Sequence, residues 1–191
     1  MKLALFSLFS LFVFFSASGV AAEPEVQAEY QYYPIRGKGA EELNRIIKGR
    51  GLGTDKWEKF SAYARWDVQW YYKYNRGSDH CSIAAVTTKV RIAYYMPKWV
   101  NPAGADQNTR LKWEGFAKAL ATHEEGHGEH GILAAREIEE FILQLPPQKT
   151  CGELSLLCDE LAKSIIQKYR EQDVKYDEET NHGLTQGVVF F

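Results

Sequence analysis

From Ala64 onward the hydrophobic period changes once, from two to about 3.6, and that change leaves few folds open. Ala64, Trp66, Val68, Trp70, Tyr72 and Tyr74 fall on one face, with Arg65, Asp67, Gln69 and Lys73 on the other. This is the alternation of a half-buried strand. Asn75 to Asp79 (NRGSD) supplies a turn, and a second strand follows with Ala84, Val86, Val90, Ile92 and Tyr94 inward and Thr87, Lys89 and Arg91 outward. Pro97 is expected to close it. A short turn between matched patterns predicts an antiparallel hairpin. Beyond the loop Asn101–Asn108, Phe116, Leu120, His123, His127, Ala134, Ile138 and Phe141 recur at threes and fours up to Leu145, the spacing of one helix face. Strands first and helices after is an α+β layout, in which N-terminal antiparallel strands pack against C-terminal helices.

Shorter signals fill in the rest. Residues 25–35 read as a weak strand ended by Pro34, and Gly39–Lys48 as a short helix stopped by Gly49 and Gly51. Thr150 and Glu153 form a capping box just after Pro146-Pro147, so a last helix begins near Cys151 with Leu154, Cys158, Leu161, Ile165 and Tyr169 on its apolar face. The tail from Asp173 to Phe191 reads as irregular. The long helical stretch raises a conflict of scale. Unbroken, it would span about 58 Å, whereas a domain of this size has a radius of gyration of about 15 Å. A bend or break is therefore expected at Gly126, Gly128 and Gly131, where helix propensity is poorest.

The first residues bear on the compartment. Lys2 precedes the apolar run Leu3–Phe15, and Val20-Ala21-Ala22 then stands before Glu23. That order is a signal peptide, residues 1–22, cleaved after Ala22 to leave one domain over 23–191. The run is shorter than the roughly 18 residues of a membrane span, so stable membrane insertion after cleavage is not expected. Destination is the periplasm or the medium. With 23 basic and 25 acidic side chains the net charge is −2, and no basic stripe suggests nucleic acid as a partner. Three cysteines enter an oxidising compartment. Cys151 and Cys158 would stand about 10 Å apart along one helix, too far for a disulfide, which needs Cα atoms within about 7 Å. Cys81 therefore pairs with one of the two, and Cys151, at the helix start, is favoured.

His123-Glu124-Glu125-Gly126-His127 is an HExxH sequence. Residues four apart on a helix lie one above the other, so two imidazoles converge on one tetrahedral ion. Glu124 stands beside that ion, placed to take a proton from water and pass it to a leaving group. The competing reading, two histidines satisfied within a core face, is weakened by the glutamate in the required place. Glu125 is expected simply to face solvent. His130 follows at three residues, but on a regular helix it is about 10 Å along the axis from His123, so it reads as a support or a surface residue. A third ligand must come from elsewhere. His182, before Gly183, is one candidate, and Asp159 and Glu160 are the carboxylate alternatives.

These motifs carry a resemblance. The Tyr-rich start, Trp66-Asp67-Val68-Gln69-Trp70, the Cys81 strand, Pro97-Lys98-Trp99, Trp113, the His123–His127 motif, Cys151 and Tyr176-Asp177…Thr180-Asn181-His182-Gly183 together resemble the family catalogued as domain of unknown function 922, described as predicted secreted zinc-dependent proteases. The resemblance implies a zincin-like metal-site helix and carries across His123, Glu124 and His127. It raises His182 to a candidate for ligation or for stabilising an oxyanion. Tyr176 and Asp177 become supports, Asp177 as a carboxylate that orients a histidine. Cys158 has no counterpart in the pattern.

The expectation is an exported zinc-dependent hydrolase, a peptidase or related amidase acting on peptides or proteins, with Glu124 as general base. The alternative is a non-catalytic, metal-stabilised binding module of the cell envelope that uses its aromatic strands for recognition. A purely structural domain comes third. Substrate and oligomeric state are not written in the sequence.

Overall fold

The computed structural model describes residues 23–50 and 61–189. The expected leader, residues 1–22, and Gly51 as a helix stop lie outside these. The elements run β1 (Glu25–Ile35), α1 (Ala40–Arg50), β2 (Tyr63–Arg76), β3 (Cys81–Trp99), α2 (Gln107–Leu143) and α3 (Cys151–Thr180), with short 3-10 turns at Pro102–Gly104 and Leu184–Gln186. The α+β reading holds: a three-stranded sheet, order β1-β3-β2, is followed by a pair of long helices. The antiparallel expectation holds for the β2–β3 hairpin. β1 instead joins the far side of β3 in parallel, its chain crossing over through α1, as a parallel pair requires.

Two details of β3 depart from the sequence reading. Ala84 is exposed rather than inward, because Lys73 pairs with Ala85 and Tyr74 with Ile83, leaving Ala84 as the extra residue of a bulge. Cys81 and Ile83 precede the bulge and Val86 and Thr88 follow it, so the inward set changes parity there. Pro97 does not end the strand, which continues to Trp99 beside β1. Pairing with β2 stops at Tyr95, so Pro97 occupies a stretch of β3 open on that side, where a residue without an N–H is tolerated.

Along α2 no break occurs at these glycines. The helix is continuous over 37 residues, and its glycines mark close approaches. A Cβ at Gly126 would collide with the Tyr176 hydroxyl of α3, and one at Gly128 with the Tyr94 hydroxyl of β3. At Gly131 it would lie 2.8 Å from Cγ of Trp66 on β2. Each glycine costs a helix about 1 kcal/mol. Against that stands Trp66, 1 % exposed; burying an indole removes roughly 200 Å² from water, about 5 kcal/mol. Packing outweighs propensity. Nor does the radius of gyration cap the helix length, because α3, 30 residues long, runs alongside α2 and covers it. Asp106 caps α2, accepting from the Thr109 N–H at 2.9 Å.

The core lies between the sheet and the helix pair. Trp66, Val68, Val90, Ile92, Tyr94 and Met96 come from the strands; Leu120, Ala134, Ala135, Ile138 and Ile142 come from α2; Leu154, Cys158, Ala162 and Ile165 come from α3. The Thr150–Glu153 capping box starts α3 as the sequence implies. At that end Cys81 is bonded to Cys151, and Cys81 also exchanges backbone hydrogen bonds with Gln148. The strand hairpin is thereby tied to the α2–α3 connection. Cys158 is a buried thiol. The tail reading is corrected at the other end: Asp173–Thr180 is helix, not coil, its periodicity hidden by the polar run Asp177–Asn181. α1 likewise passes through Gly49 to Arg50.

Two outcomes follow. Gly131→Ala, which raises helix propensity, is expected to lower stability by about 1–3 kcal/mol through overpacking against Trp66, read as a drop in the urea midpoint. Reduction of Cys81–Cys151, which closes a separation of 70 residues, is expected to cost about 4 kcal/mol by loop entropy, read from denaturation with and without a thiol reductant.

Candidate metal site

His123 and His127, one turn apart on α2, and Asp177 on α3 meet at a single point. Asp177 Oδ1 lies 3.1 Å from Nε2 of His123 and 3.1 Å from Nε2 of His127. The far nitrogens are occupied: Nδ1 of His123 lies 2.9 Å from Oε1 of Gln186, and Nδ1 of His127 lies 3.0 Å from Oδ1 of Asp173. Both of those partners are acceptors, so both Nδ1 atoms carry the hydrogen and, in a neutral ring, both Nε2 atoms are bare lone pairs. Three acceptors thus face one another. Such a cluster is stable only with protons added or with a cation between them.

The spacing suits a cation. Ligand atoms about 2.0–2.1 Å from a tetrahedral zinc stand about 3.3 Å from one another, close to the two 3.1 Å separations. Without an ion, protons fill the gap. Burial pulls the His127 imidazole down, but hydrogen bonds to Asp173 and Asp177 outweigh it and push its pKa up to about 9. Burial pushes Asp177 up, yet the hydrogen bonds from His123 and His127 hold its carboxyl well below the usual range.

His130 belongs to a second cluster with His127 and Asp173, which has a different character. Nδ1 of His130 lies 2.7 Å from the same Asp173 Oδ1 that faces His127, and the Trp66 indole N–H donates to Oδ2 at 2.8 Å. Here one carboxylate faces three donors, two at Oδ1 and one at Oδ2, so acceptor meets donor at each contact. Burial pushes Asp173 up, but hydrogen bonds from His127, His130 and Trp66 bring it below its ordinary value. Asp173 orients the His127 ring and His130 orients Asp173, an arrangement typical of carboxylates behind metal-binding histidines.

Tyr176 packs the inner wall. Its ring stacks on His123 at 5.1 Å between centroids, 13° from parallel, and meets His127 edge-on at 5.0 Å. Gly126 admits it, and Gln186 donates to its hydroxyl at 2.9 Å. Gly183, at φ +79°, brings the turn against His123, where a Cβ would sit 3.0 Å from Cγ.

A cleft of about 540 Å³ opens onto these residues, lined on one side by Ser61–Ala64 of the approach to β2 and on the other by Asn181, His182 and Leu184. Glu124 lines it too, 4 % exposed. Burial pushes its carboxyl up to about 7, with Asp177 adding to the rise and the two imidazoles opposing it. His182 sits at the rim, its side chain 58 % exposed and its Nδ1 3.7 Å from Oδ1 of Asp177. Asn181 and His182 both hold positive φ, 48° and 50°, an uncommon conformation for residues other than glycine and one that clusters at functional sites.

Other candidates lie elsewhere. Asp159 accepts from the Trp70 indole at 3.0 Å, and 18 residues of helix put it about 27 Å along α3 from Asp177. Glu160 beside it is exposed. Glu125 is exposed as expected, with the Tyr30 hydroxyl donating to it at 2.6 Å. Asp173 and Gln186 were not singled out by the sequence. The signal for Asp173 was its spacing of four from Asp177, which matches the His123–His127 spacing on the facing helix. Gln186 carried no signal.

Asp177→Asn is expected to weaken zinc binding at least 100-fold, and Asp173→Asn by about 10–100-fold, the range for orienting partners. Isothermal titration of the chelator-treated protein measures both. No curated protein and no solved structure matches the chain. A family described as bacterial protein of unknown function, domain of unknown function 922, matches residues 30–183, and the chain belongs to it.

Proposed function

We propose that the protein is an exported zinc-dependent hydrolase acting on peptide or related amide bonds, with His123, His127 and Asp177 as the protein ligands. The observation that carries this reading is the convergence of three acceptor atoms: Oδ1 of Asp177 and the Nε2 atoms of two imidazoles whose Nδ1 sides are already hydrogen-bonded. The disulfide is compatible with an exported protein, and no helix among the described residues is long and apolar enough to cross a membrane. Asp177 takes the ligand position first considered for His182.

A zinc ion held by this set supplies a Lewis acid and a water of lowered pKa. Glu124, buried in the wall of the same cleft, takes a proton from water and delivers it to the leaving nitrogen. Gln186 and Asp173 fix the tautomers of His123 and His127, so that Nε2 of each faces the cleft. His182, held at the rim by two strained backbone residues, is placed to donate to an oxygen gaining negative charge, an electrostatic contribution of the kind supplied by an oxyanion hole.

The cleft wall supports a peptide substrate. Ser61–Ala64 belong to the approach and start of β2, an outer strand of the sheet. Its edge away from β3 pairs with no strand among the described residues and offers N–H and C=O groups along which an extended chain can lie.

Glu124→Gln is expected to retain one zinc per chain and to lose hydrolysis by about 10²–10⁴-fold, measured on a peptide library with zinc content read in parallel. Full activity in that variant would remove Glu124 from the mechanism. A wild type that binds zinc but turns over no peptide, amide or cell-wall cross-link would instead be a metal-stabilised binding module.

A further inference from the structure

Glu139 of α2 is buried, 1 % exposed, and sits far from the cleft. Its Oε1 accepts from both the backbone N–H and the hydroxyl of Thr88, at 2.7 and 2.8 Å. Its Oε2 is buried with no hydrogen-bond partner among the described residues. A carboxylate oxygen in that state costs free energy until something donates to it.

The neighbouring chain points to the donor. β1 and β3 run parallel with Glu25 beside Lys89, so continuing the register one residue back sets Pro24 beside Thr88. Pro24 is buried but has no N–H to give. The next nitrogen up the chain is that of Glu23. Its side chain is already drawn to α2, where Nε and Nη2 of Arg136 donate to Glu23 Oε2 at 3.2 and 3.0 Å. Arg136 stands one turn before Glu139 on the same helix. Glu23 is also the residue expected to become the first of the mature chain.

We infer that Glu139 is the receptor for the α-ammonium group that leader removal creates at Glu23. In the precursor that nitrogen is an amide with one hydrogen and no charge. After hydrolysis of the Ala22–Glu23 bond it is an ammonium with three donors and a positive charge, and it meets the buried oxygen. The new ion pair clamps the start of β1 onto α2, so the fold is completed by export and processing. Lys89, Glu25 and Arg136 are the other charged groups around this end of the sheet, and Glu25 and Lys89 already pair with each other at 2.8 Å. The ion pair is independent of the metal site.

The test uses the mature chain beginning at Glu23 and the same chain preceded by Gly-Ser, each with Glu139 and with Glu139→Gln. The extension is expected to lower Tm by on the order of 10 °C when Glu139 is present and by less than about 2 °C in the Gln variant. An extension without effect, or with equal effect in both backgrounds, overturns the inference. Should the Gln variant not fold, the α-amino pKa of the mature protein, measured by NMR, decides. A value well above the ordinary range of about 7.7–8.0 is expected, and an ordinary value overturns it. N-terminal sequencing of the exported protein that begins anywhere but Glu23 also overturns it.

Discussion

Three missing Cβ atoms on α2 set how close that helix lies to everything it serves. Gly126 admits Tyr176, Gly128 admits the Tyr94 hydroxyl, and Gly131 receives the face of Trp66. Each approach has a consequence at the site. Tyr176 stacks flush on His123 only because nothing projects from residue 126. Trp66 reaches Asp173 with its indole N–H from beneath the helix, and Asp173 in turn holds His127. The same indole is covered from outside by the Arg170 guanidinium, 3.7 Å from its ring. A chain of contacts therefore runs from β2, at the edge of the sheet, to the imidazole whose other nitrogen faces the cleft. It has no slack, because every link is either a ring in van der Waals contact or a hydrogen bond at normal length.

That chain also explains why the glycines were misread. Propensity scores a helical glycine as a weak point, and nothing in a single sequence says that an indole, a tyrosine and a phenol will occupy the space it leaves. The strands and helices were legible because each has a periodic apolar face; the hairpin partner of β2 followed from its neighbour in sequence. β1 was harder. Most of it is exposed, so it lacks a buried stripe, and its parallel seat beside β3 is set by the crossover rather than by any pattern of its own. At the site, His123, Glu124 and His127 were legible because helix geometry alone brings them together. Asp177 was read as a support rather than a ligand and Asp173 was not singled out, since their roles depend on which face of α3 meets α2. The polar run Asp177–Asn181 concealed that the helix continues to Thr180.

The cluster of acceptors works against the fold until it is charged correctly. His127 holds a proton tightly and Asp177 resists one, so the ion-free protein satisfies the cluster as a buried ion pair. Such pairs gain little over their desolvation cost. A divalent cation in the proton's place would return more, because binding to preformed ligands is free energy added to the folded state alone. Fold and metal affinity are then linked quantities.

The donor set narrows the ion. Two imidazoles and a carboxylate are borderline-hard ligands that suit zinc, and soft thiolate is absent from the cluster. The cysteines are committed elsewhere: Cys81 and Cys151 to each other, Cys158 to the core. Where they are committed matters to the architecture. Asp177 lies 26 residues beyond Cys151 on one continuous helix, about 39 Å along its axis. The disulfide fastens the connected end of the α2–α3 pair to the strand hairpin. At the other end the helices have no loop joining them, and an ion on the three proposed ligands, two from α2 and one from α3, would take the loop's place. A covalent staple at one end would then be matched by coordination at the other, and the cleft opens beside the second of those holds.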